Sequence, residues 1–452
     1  MGGSLFLAHE RSARGYAFPR NVLDSSGRVA TLDMGSLLRD NRSLDQTMLE
    51  RAFRQAEDVF YKPVNPQTLL TGERKALLAY LQKHKVPKPQ LTPLFASGNQ
   101  SQDARALKRE LREAQSEYGA KVGYAELGQV AIAGVMNALN DPYTTYLSPK
   151  EIQRLQEQLS GGDFGGIGVY IVQDPRNGEV LVDPIEDTPA AHAGVKAGDI
   201  IIAVDGHTVK GLKLDIVERM IRGRAGSTIV LRVRSQKSKT ARSVSLVRQT
   251  IHVPSVHARF EHGVEYVRLS DFGDTSYDEV RKAILEGKAK HATGYILDLR
   301  NNGGGLLEAA VEISSLFIQD GAIVSTIDRS GSRDTKSATH QFLDPKPLVV
   351  LVNKYTASAS EITAGAIQDY KVGTLVGGKT FGKGVVQSIY HLQDNSALKI
   401  TTAKYVTPLG RDIQHRGINP DVTIDGDPAA VDTPKDHQLA VAKQILRRMA
   451  KR

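Results

Sequence analysis

The sequence predicts a mixed α/β protein in which a helical N-terminal third and a layered α/β core flank a compact β-rich module. Three observations carry this prediction. Apolar residues recur at helical spacing from Ser43, with Leu44, Met48, Ala52, Ala56 and Phe60 forming the first stripe. Between Gly161 and about Leu246 the texture changes to short β-rich runs separated by turns. From Val264 onward, continuous apolar strands alternate with helices, as the buried strands of an α/β core do. Apolar residues make up 40% of the 452 positions and charged residues 24%, which suits about three globular domains and excludes a disordered chain.

Taken in order, residues 1–40 are polar and aperiodic and read as a poorly ordered arm. The helical region, 41–155, opens with the helix from Ser43. A second helix is expected over 67–81, after which Pro87, Pro89, Pro93 and Gly98 mark a linker. A charged helix over 103–116 and an apolar one over 125–139 follow, the latter stopped by Asp141-Pro142. In the β-rich module, 156–247, the runs 168–172 and 180–182 flank the turn Asp174-Pro175-Arg176-Asn177-Gly178. A strand at 199–206, a helix at 214–221 and a strand at 227–233 complete it. The core, 248–430, holds strand 294–299, helix 306–317, strand 348–352 and helix 359–369. The last segment, 431–452, is a basic amphipathic helix with Leu439, Ala442, Leu446 and Met449 turned to the body.

Composition narrows the function. The net charge of +9 is scattered rather than gathered into a patch, and Trp is absent, so nucleic-acid binding is not expected and the excess serves solubility. No cysteine is present, which removes thiol catalysis, thiolate metal sites and disulfides together and fits a life outside the reducing cytoplasm. The longest strongly apolar run, 347–352, is a buried strand and falls far short of the roughly 20 residues that span a bilayer. The N-terminus has too few apolar residues for a secretory signal, so the chain is cytosolic or its signal has been removed.

Three motifs could carry chemistry. Residues 373–380 match the phosphate-binding P-loop pattern, but two glycines and two β-branched residues stand where its helix must begin, so nucleotide binding is set aside. The run Gly303-Gly304-Gly305 ends a buried strand before a helix. Three glycines exceed what a turn needs, and such a loop leaves backbone N–H groups bare for an anion or oxyanion. Ser358-Ala359-Ser360-Glu361 opens a helix after strand 348–352. As a capping box it explains Ser358 and Glu361; as a reactive site it puts a hydroxyl at a helix N-terminus. A nucleophilic serine needs a base, and neither a Gly-x-Ser-x-Gly elbow nor a histidine in a comparable motif is present. Lys383, framed by Gly382 and Gly384, is the other candidate, since a desolvated lysine can lose its proton near neutral pH. Spacing alone leaves Ser/Lys catalysis and a capping box both open.

Read together, Ser358-Ala359-Ser360-Glu361-Ile362, Ala364-Gly365-Ala366-Ile367-Gln368-Asp369 and Thr380-Phe381-Gly382-Lys383-Gly384-Val385-Val386-Gln387 resemble the signature of the carboxyl-terminal processing proteases. These are tail-specific serine peptidases that carry a PDZ domain. Stretches 139–147, 298–305, 402–408 and 417–421 agree in the same order, so the resemblance runs from about residue 40 to 425.

The resemblance implies a ClpP/crotonase-like layered α/β protease core with an inserted PDZ domain. It makes Ser358 the nucleophile and Lys383, 25 positions later, the general base. Gln387 would orient the lysine, and Glu361 would be a polar helper. The oxyanion hole would be the amides of Ala359 and Gly305, with Gly304 as the alternative. Ser360 is a decoy by its spacing to Lys383. In the PDZ domain, Gly165, Gly166, Ile167 and Gly168 would hold a substrate's terminal carboxylate while the peptide adds a strand beside residues 169–172. His192 is read as structural, in a packed segment. Arg222 is a candidate gate contact, or else a cation offsetting the dipole at a helix C-terminus. No metal, nucleotide or other cofactor is implied. Substrates would be proteins or peptides with free C-termini, an adaptor or self-association stays open, and the family is usually periplasmic or otherwise exported. The competing reading is a PDZ-based peptide-binding scaffold with an inactive protease core.

Overall fold

The computed structural model describes residues 7–8, 34–159, 164–174, 177–236, 238 and 240–449. They form two units: one comprises the described residues up to Leu155, Val256–Phe272 and the described residues from Ser276 onward, the other those between Gln156 and Ser255 together with Gly273–Thr275.

In the first unit, helices α1 (Met34–Val59), α2 (Pro66–Lys83), α3 (Gln100–Val122) and α4 (Tyr124–Asn137) make up the helical region. Asn65 and Asn99 cap α2 and α3, each side-chain oxygen accepting an amide of the first turn at 3.0 Å. α1 starts at Met34, inside the stretch expected as a loose arm. Leu37, Leu38 and Arg39 are strong helix formers, and no breaker separates them from the stripe at Leu44. The rest of that arm lies outside the described residues, except that Leu7–Ala8 pair in parallel with Gln387 and Ser388. α2 and α4 approach glycine to glycine. A Cβ on Gly72 would come within 2.4 Å of Ala138 Cβ, and one on Gly134 within 2.7 Å of Ala76 Cβ. Strand β1 (Thr145–Leu147) follows, and helix α5 (Pro149–Leu159) begins in this unit and ends in the second.

The second unit holds β2 (Phe164–Gly166), β3 (Val169–Gln173), β4 (Val180–Pro184), β5 (Asp199–Val204), helix α6 (Leu214–Ile221), β6 (Thr228–Arg234), β7 (Ala241–Val247) and β8 (Gln249–Ile251). β3-β4-β5-β6-β7 form an antiparallel sheet with β3 at its edge, while β2 pairs with β8. Ile167, Val182, Ile201, Val217, Ile229 and Leu231 belong to its own core.

The remaining chain of the first unit is built on β9 (Val256–Glu261), β10 (Val264–Leu269), α7 (Ser276–Ala289), β11 (Gly294–Asp298), α8 (Leu307–Ser315), β12 (Ala322–Asp328), β13 (Arg333–Ser337), β14 (Leu348–Val352), α9 (Ala359–Asp369), β15 (Thr374–Gly377), β16 (Val385–His391), β17 (Ala397–Val406), β18 (Val422–Thr423) and α10 (His437–Met449). The sheet β9-β10-β11-β14-β15-β18 is parallel except at β9. Its strands alternate faces. Leu297, Val350 and Val352 pack with α8 and α9, while Ile296, Val349 and Leu351 pack with Leu439, Ala442 and Leu446 of α10. A second, antiparallel sheet, β16-β17-β12-β13, closes the far side of α8 and α9 through Val386, Ala403, Tyr405 and Val324. Leu398 and Ile400 of β17 belong instead to the core of the helical region. This second sheet departs from the simple strand–helix alternation expected; its strands are half-polar and join through hairpins, which short apolar windows do not reveal.

Among the described residues, no helix is long and apolar enough to cross a membrane. The glycine contact of α2 and α4 leaves no room for a side chain. Gly134→Val is expected to destabilise the protein by about 1–3 kcal/mol, the usual weight of overpacking. Urea unfolding would read this, and an unchanged midpoint would contradict the close crossing.

Candidate active site

Strand β14 ends at Val352, and the turn that follows presents Ser358 at the mouth of α9. Thr356 anchors this turn, its hydroxyl donating to Leu299 O at 2.8 Å and accepting Asn353 N–H at 2.9 Å. Ser358 has φ 59° and ψ −120°, a conformation that side chains with a Cβ adopt only under strain. So the strand-to-helix elbow is present although its usual glycine pattern is not. Ser358 is fully buried and its Oγ has no hydrogen-bond partner, a costly arrangement for a hydroxyl that serves only structure. Of the expected capping box, Ser358 N–H donates to Glu361 Oε2 at 2.9 Å. Ser360 is committed elsewhere, its Oγ donating to Asn302 O at 3.0 Å.

Lys383 sits in the loop before β16. The glycines around it are required: a Cβ on Gly382 would come within 2.8 Å of Gly417 N, and one on Gly384 within 2.7 Å of Gln414 N. The lysine is only 4% exposed, and burial pushes its amine down to about 7. The charge of Lys399 pushes the same way, while Asp141 and Glu361 oppose it. The Tyr143 ring centroid lies 4.9 Å from Lys383 Nζ.

Glu361 joins the two segments. Its Oε2 accepts the amides of both Ser358 and Lys383 at 2.9 Å, and its Oε1 accepts Gly382 N–H at 2.8 Å and the Thr380 hydroxyl at 2.5 Å. Burial raises the Glu361 pKa, and these four donors work against that rise. From the opposite side, the Tyr405 hydroxyl on β17 donates to the carbonyls of Lys383 at 2.6 Å and Ser358 at 3.1 Å. Gln387 is buried with Nε2 3.4 Å from both Val385 O and Thr401 Oγ1, and its Oε1 has no partner. Thr401 in turn donates to Asp141 at 2.6 Å.

The glycine loop lies against this assembly. A Cβ on Gly304, whose φ is 102°, would sit 2.8 Å from Ala359 N and from Ser358 Cβ. Asn302 fixes the loop, its Oδ1 accepting Gly304 N–H at 2.8 Å. That bond takes Gly304 out of the expected alternatives for an oxyanion donor. Among the described residues, the amides of Gly305 and Ala359 make no hydrogen bond. Asn302, Tyr143 and Tyr405 were not singled out by the motifs, because their contacts join segments distant in sequence.

The second unit has a groove of about 270 Å³ between the free edge of β3 and α6, lined by Ile167, Gly168, Val169, Ile171, Leu214 and Ile221 among others. Hydrogen bonds at 168/185 and 174/179 set the register, so Val169 and Ile171 turn their backbone groups away from β4. The amides of Ile167 and Gly168 are unbonded among the described residues. Gly165 and Gly166, expected in the same loop, pair instead with Thr250 and Gln249 as strand β2. Gly165 is glycine for another reason: a Cβ there would strike Gly223 O at 2.0 Å. Arg222 lines the groove and pairs with Glu157 at 3.2 Å and Glu218 at 2.6 Å. His192 is itself exposed, 3.3 Å from Asp187, while its segment packs through Ala190 and Val195.

Comparison with known proteins agrees with this architecture. Residues 263–424 match Peptidase family S41, and residues 180–235 match a PDZ domain. A carboxyl-terminal-processing protease of Picosynechococcus sp. is 39% identical over 325 residues, covering 70% of this chain and 78% of its own length. One from Synechocystis sp. is 36% identical over 349 residues, covering 75% and 79%. A solved photosystem II D1 C-terminal processing protease is 29% identical, with a TM-score of 0.48 over 90% of this chain and 97% of its own. With two such relatives and an S41 core joined to a PDZ domain, the chain belongs to the carboxyl-terminal-processing proteases of peptidase family S41, serine-type peptidases that act on protein C-termini.

Proposed function

We propose that this peptidase captures a free protein C-terminus in its PDZ groove and cleaves the chain through a Ser358 acyl-enzyme, with Lys383 as the general base. The observation that carries the reading is a buried, unpartnered serine hydroxyl on a strained turn, tied through one carboxylate to a lysine whose amine is pushed down to about 7. In this reading neutral Lys383 takes the Ser358 proton as Oγ attacks the peptide carbonyl. The amide of Gly305 and that of Ala359, the first residue of α9, receive the oxyanion. The Lys383 ammonium then protonates the leaving amine, and water releases the acyl group. The free Oε1 of Gln387 is an acceptor suited to orienting the lysine.

In the groove, the terminal carboxylate would meet the amides of Ile167 and Gly168, and the peptide would extend β3 as an added strand. The apolar lining favours an aliphatic last residue. Arg222, in the groove wall, is read as the residue that senses the occupant.

Ser358→Ala and Lys383→Ala are expected to abolish cleavage with the fold retained. Lys383→Arg is expected to fail too, because a guanidinium stays protonated; appreciable turnover by it would sink the assignment. Only the free amine accepts the proton. So kcat/KM should rise about tenfold per pH unit below about 7 and level off above it. Lys399→Met removes a charge that disfavours the ammonium, so the acidic limb should move to higher pH; a pH–rate profile reads both effects. Glu361→Ala leaves four buried donors unpaired and is expected to cost about 3 kcal/mol or more in urea unfolding. Amidating a peptide substrate's C-terminus should lower kcat/KM about tenfold or more, the weight of a lost charge-assisted hydrogen-bond set. Equal rates for amide and free acid would refute capture by the groove while leaving the dyad standing.

A further inference from the structure

Arg300, fully buried, heads the loop that carries Gly303-Gly304-Gly305. Its guanidinium lies between two carboxylates. Nε and Nη2 donate to Asp298 at 2.5–3.1 Å, and Nη1 and Nη2 make a bidentate pair with Asp436 at 2.7 Å each. Nη1 also donates to Gln438 Oε1 at 3.1 Å. Asp436 and Gln438 belong to the C-terminal segment around the start of α10, beyond the residues 263–424 that match the peptidase family. The same segment holds the loop a second time: Asn301 Nδ2 donates to Pro428 O at 3.1 Å, and Asn301 is locked by Asn353. From Arg300 and Asn301 the chain passes directly to Asn302. That residue fixes Gly304 with its side chain and accepts Ala357 N–H and the Ser360 hydroxyl on its carbonyl, both at 3.0 Å.

Docking of the tail does not explain this ion pair. Leu439, Ala442 and Leu446 already attach α10 to the parallel sheet. Asp298 alone would balance the charge of Arg300, and buried ion pairs add little net stability over apolar contacts while fixing direction. A planar guanidinium held on both sides has no freedom to turn, and the loop that follows inherits that constraint.

We infer that Asp436, from the C-terminal segment, is a positioning residue for the reaction: through Arg300 it sets the Gly305 amide against Ser358. This inference rests on the Ser358 and Gly305 assignment above. The test uses the full chain carrying Asp436→Asn, which keeps the side-chain shape and removes the charge. Three quantities are read: kcat and KM on a free-acid peptide, affinity for a peptide boronate that forms a tetrahedral adduct on the serine, and the thermal midpoint. The expected result is a kcat lowered about tenfold with KM within about twofold, and boronate affinity falling in parallel. That loss is smaller than the roughly 10²–10³-fold cost of deleting an oxyanion donor, because the amide is displaced rather than removed. A folded variant with unchanged kcat overturns the inference, as does one in which kcat falls while boronate affinity does not. If Asp436→Asn does not fold, Gln438→Met takes one acceptor from Arg300 and is read in the same assays; a kcat lowered about two- to fivefold at constant KM supports the inference, and an unchanged kcat overturns it. Ser358→Ala separates the two claims. Cleavage by that variant defeats the serine assignment, whereas an inactive Ser358→Ala beside a fully active Asp436→Asn defeats the positioning role alone.

Discussion

The buried carboxylate of Glu361 is the interaction on which the rest of the site depends. One of its oxygens holds the backbone amides of Ser358 and Lys383 at once, and the other gathers Thr380 and Gly382. Hydrogen bonds to a charged group are worth about 1.5–3 kcal/mol each, enough together to hold a strained serine and an amine deprived of water. Tyr405 completes the frame from the opposite side by bonding the two carbonyls. Two residues far apart in sequence are thus fixed by their backbones, which leaves the serine hydroxyl free of any structural bond.

This frame explains why so much of the chain is needed to build so small a site. The parallel sheet delivers Ser358 and the glycine loop at the ends of β14 and β11. The second sheet supplies Tyr405, Thr401 and Gln387. The stretch between α4 and β1 adds Asp141, whose carboxylate holds Thr401, and Tyr143, whose ring faces the lysine. Each contact closes a long loop, so its order must come from packing of whole layers rather than from local preference.

The layered core was legible because buried parallel strands such as Leu348–Val352 are short, continuous, β-branched apolar runs that alternate with helices. The peptidase signature was legible because reactive groups, glycines and spacing recur together in short stretches. What escaped was set by partners remote in sequence. Gly165 and Gly166 have the freedom of a binding loop, but an available edge at β8 pairs them as a strand. Ser358 and Glu361 have the spacing of a capping box. Yet Glu361 also reaches amides beyond its own helix, on Gly382 and Lys383. Asn302 and Tyr405 resemble ordinary polar residues until the fold brings their targets to them.

The positive φ at Ser358 also limits which residue can occupy that position. A branch at Cβ is poorly tolerated in that region of backbone space. Threonine carries the same alcohol, yet its extra methyl group would strain the elbow that presents it. An unbranched carbon must therefore bear the reacting atom, which leaves serine, or in steric terms cysteine, and excludes the third common hydroxyl- or thiol-bearing side chain. The geometry of the turn, as much as the reactivity of the oxygen, dictates the choice of amino acid.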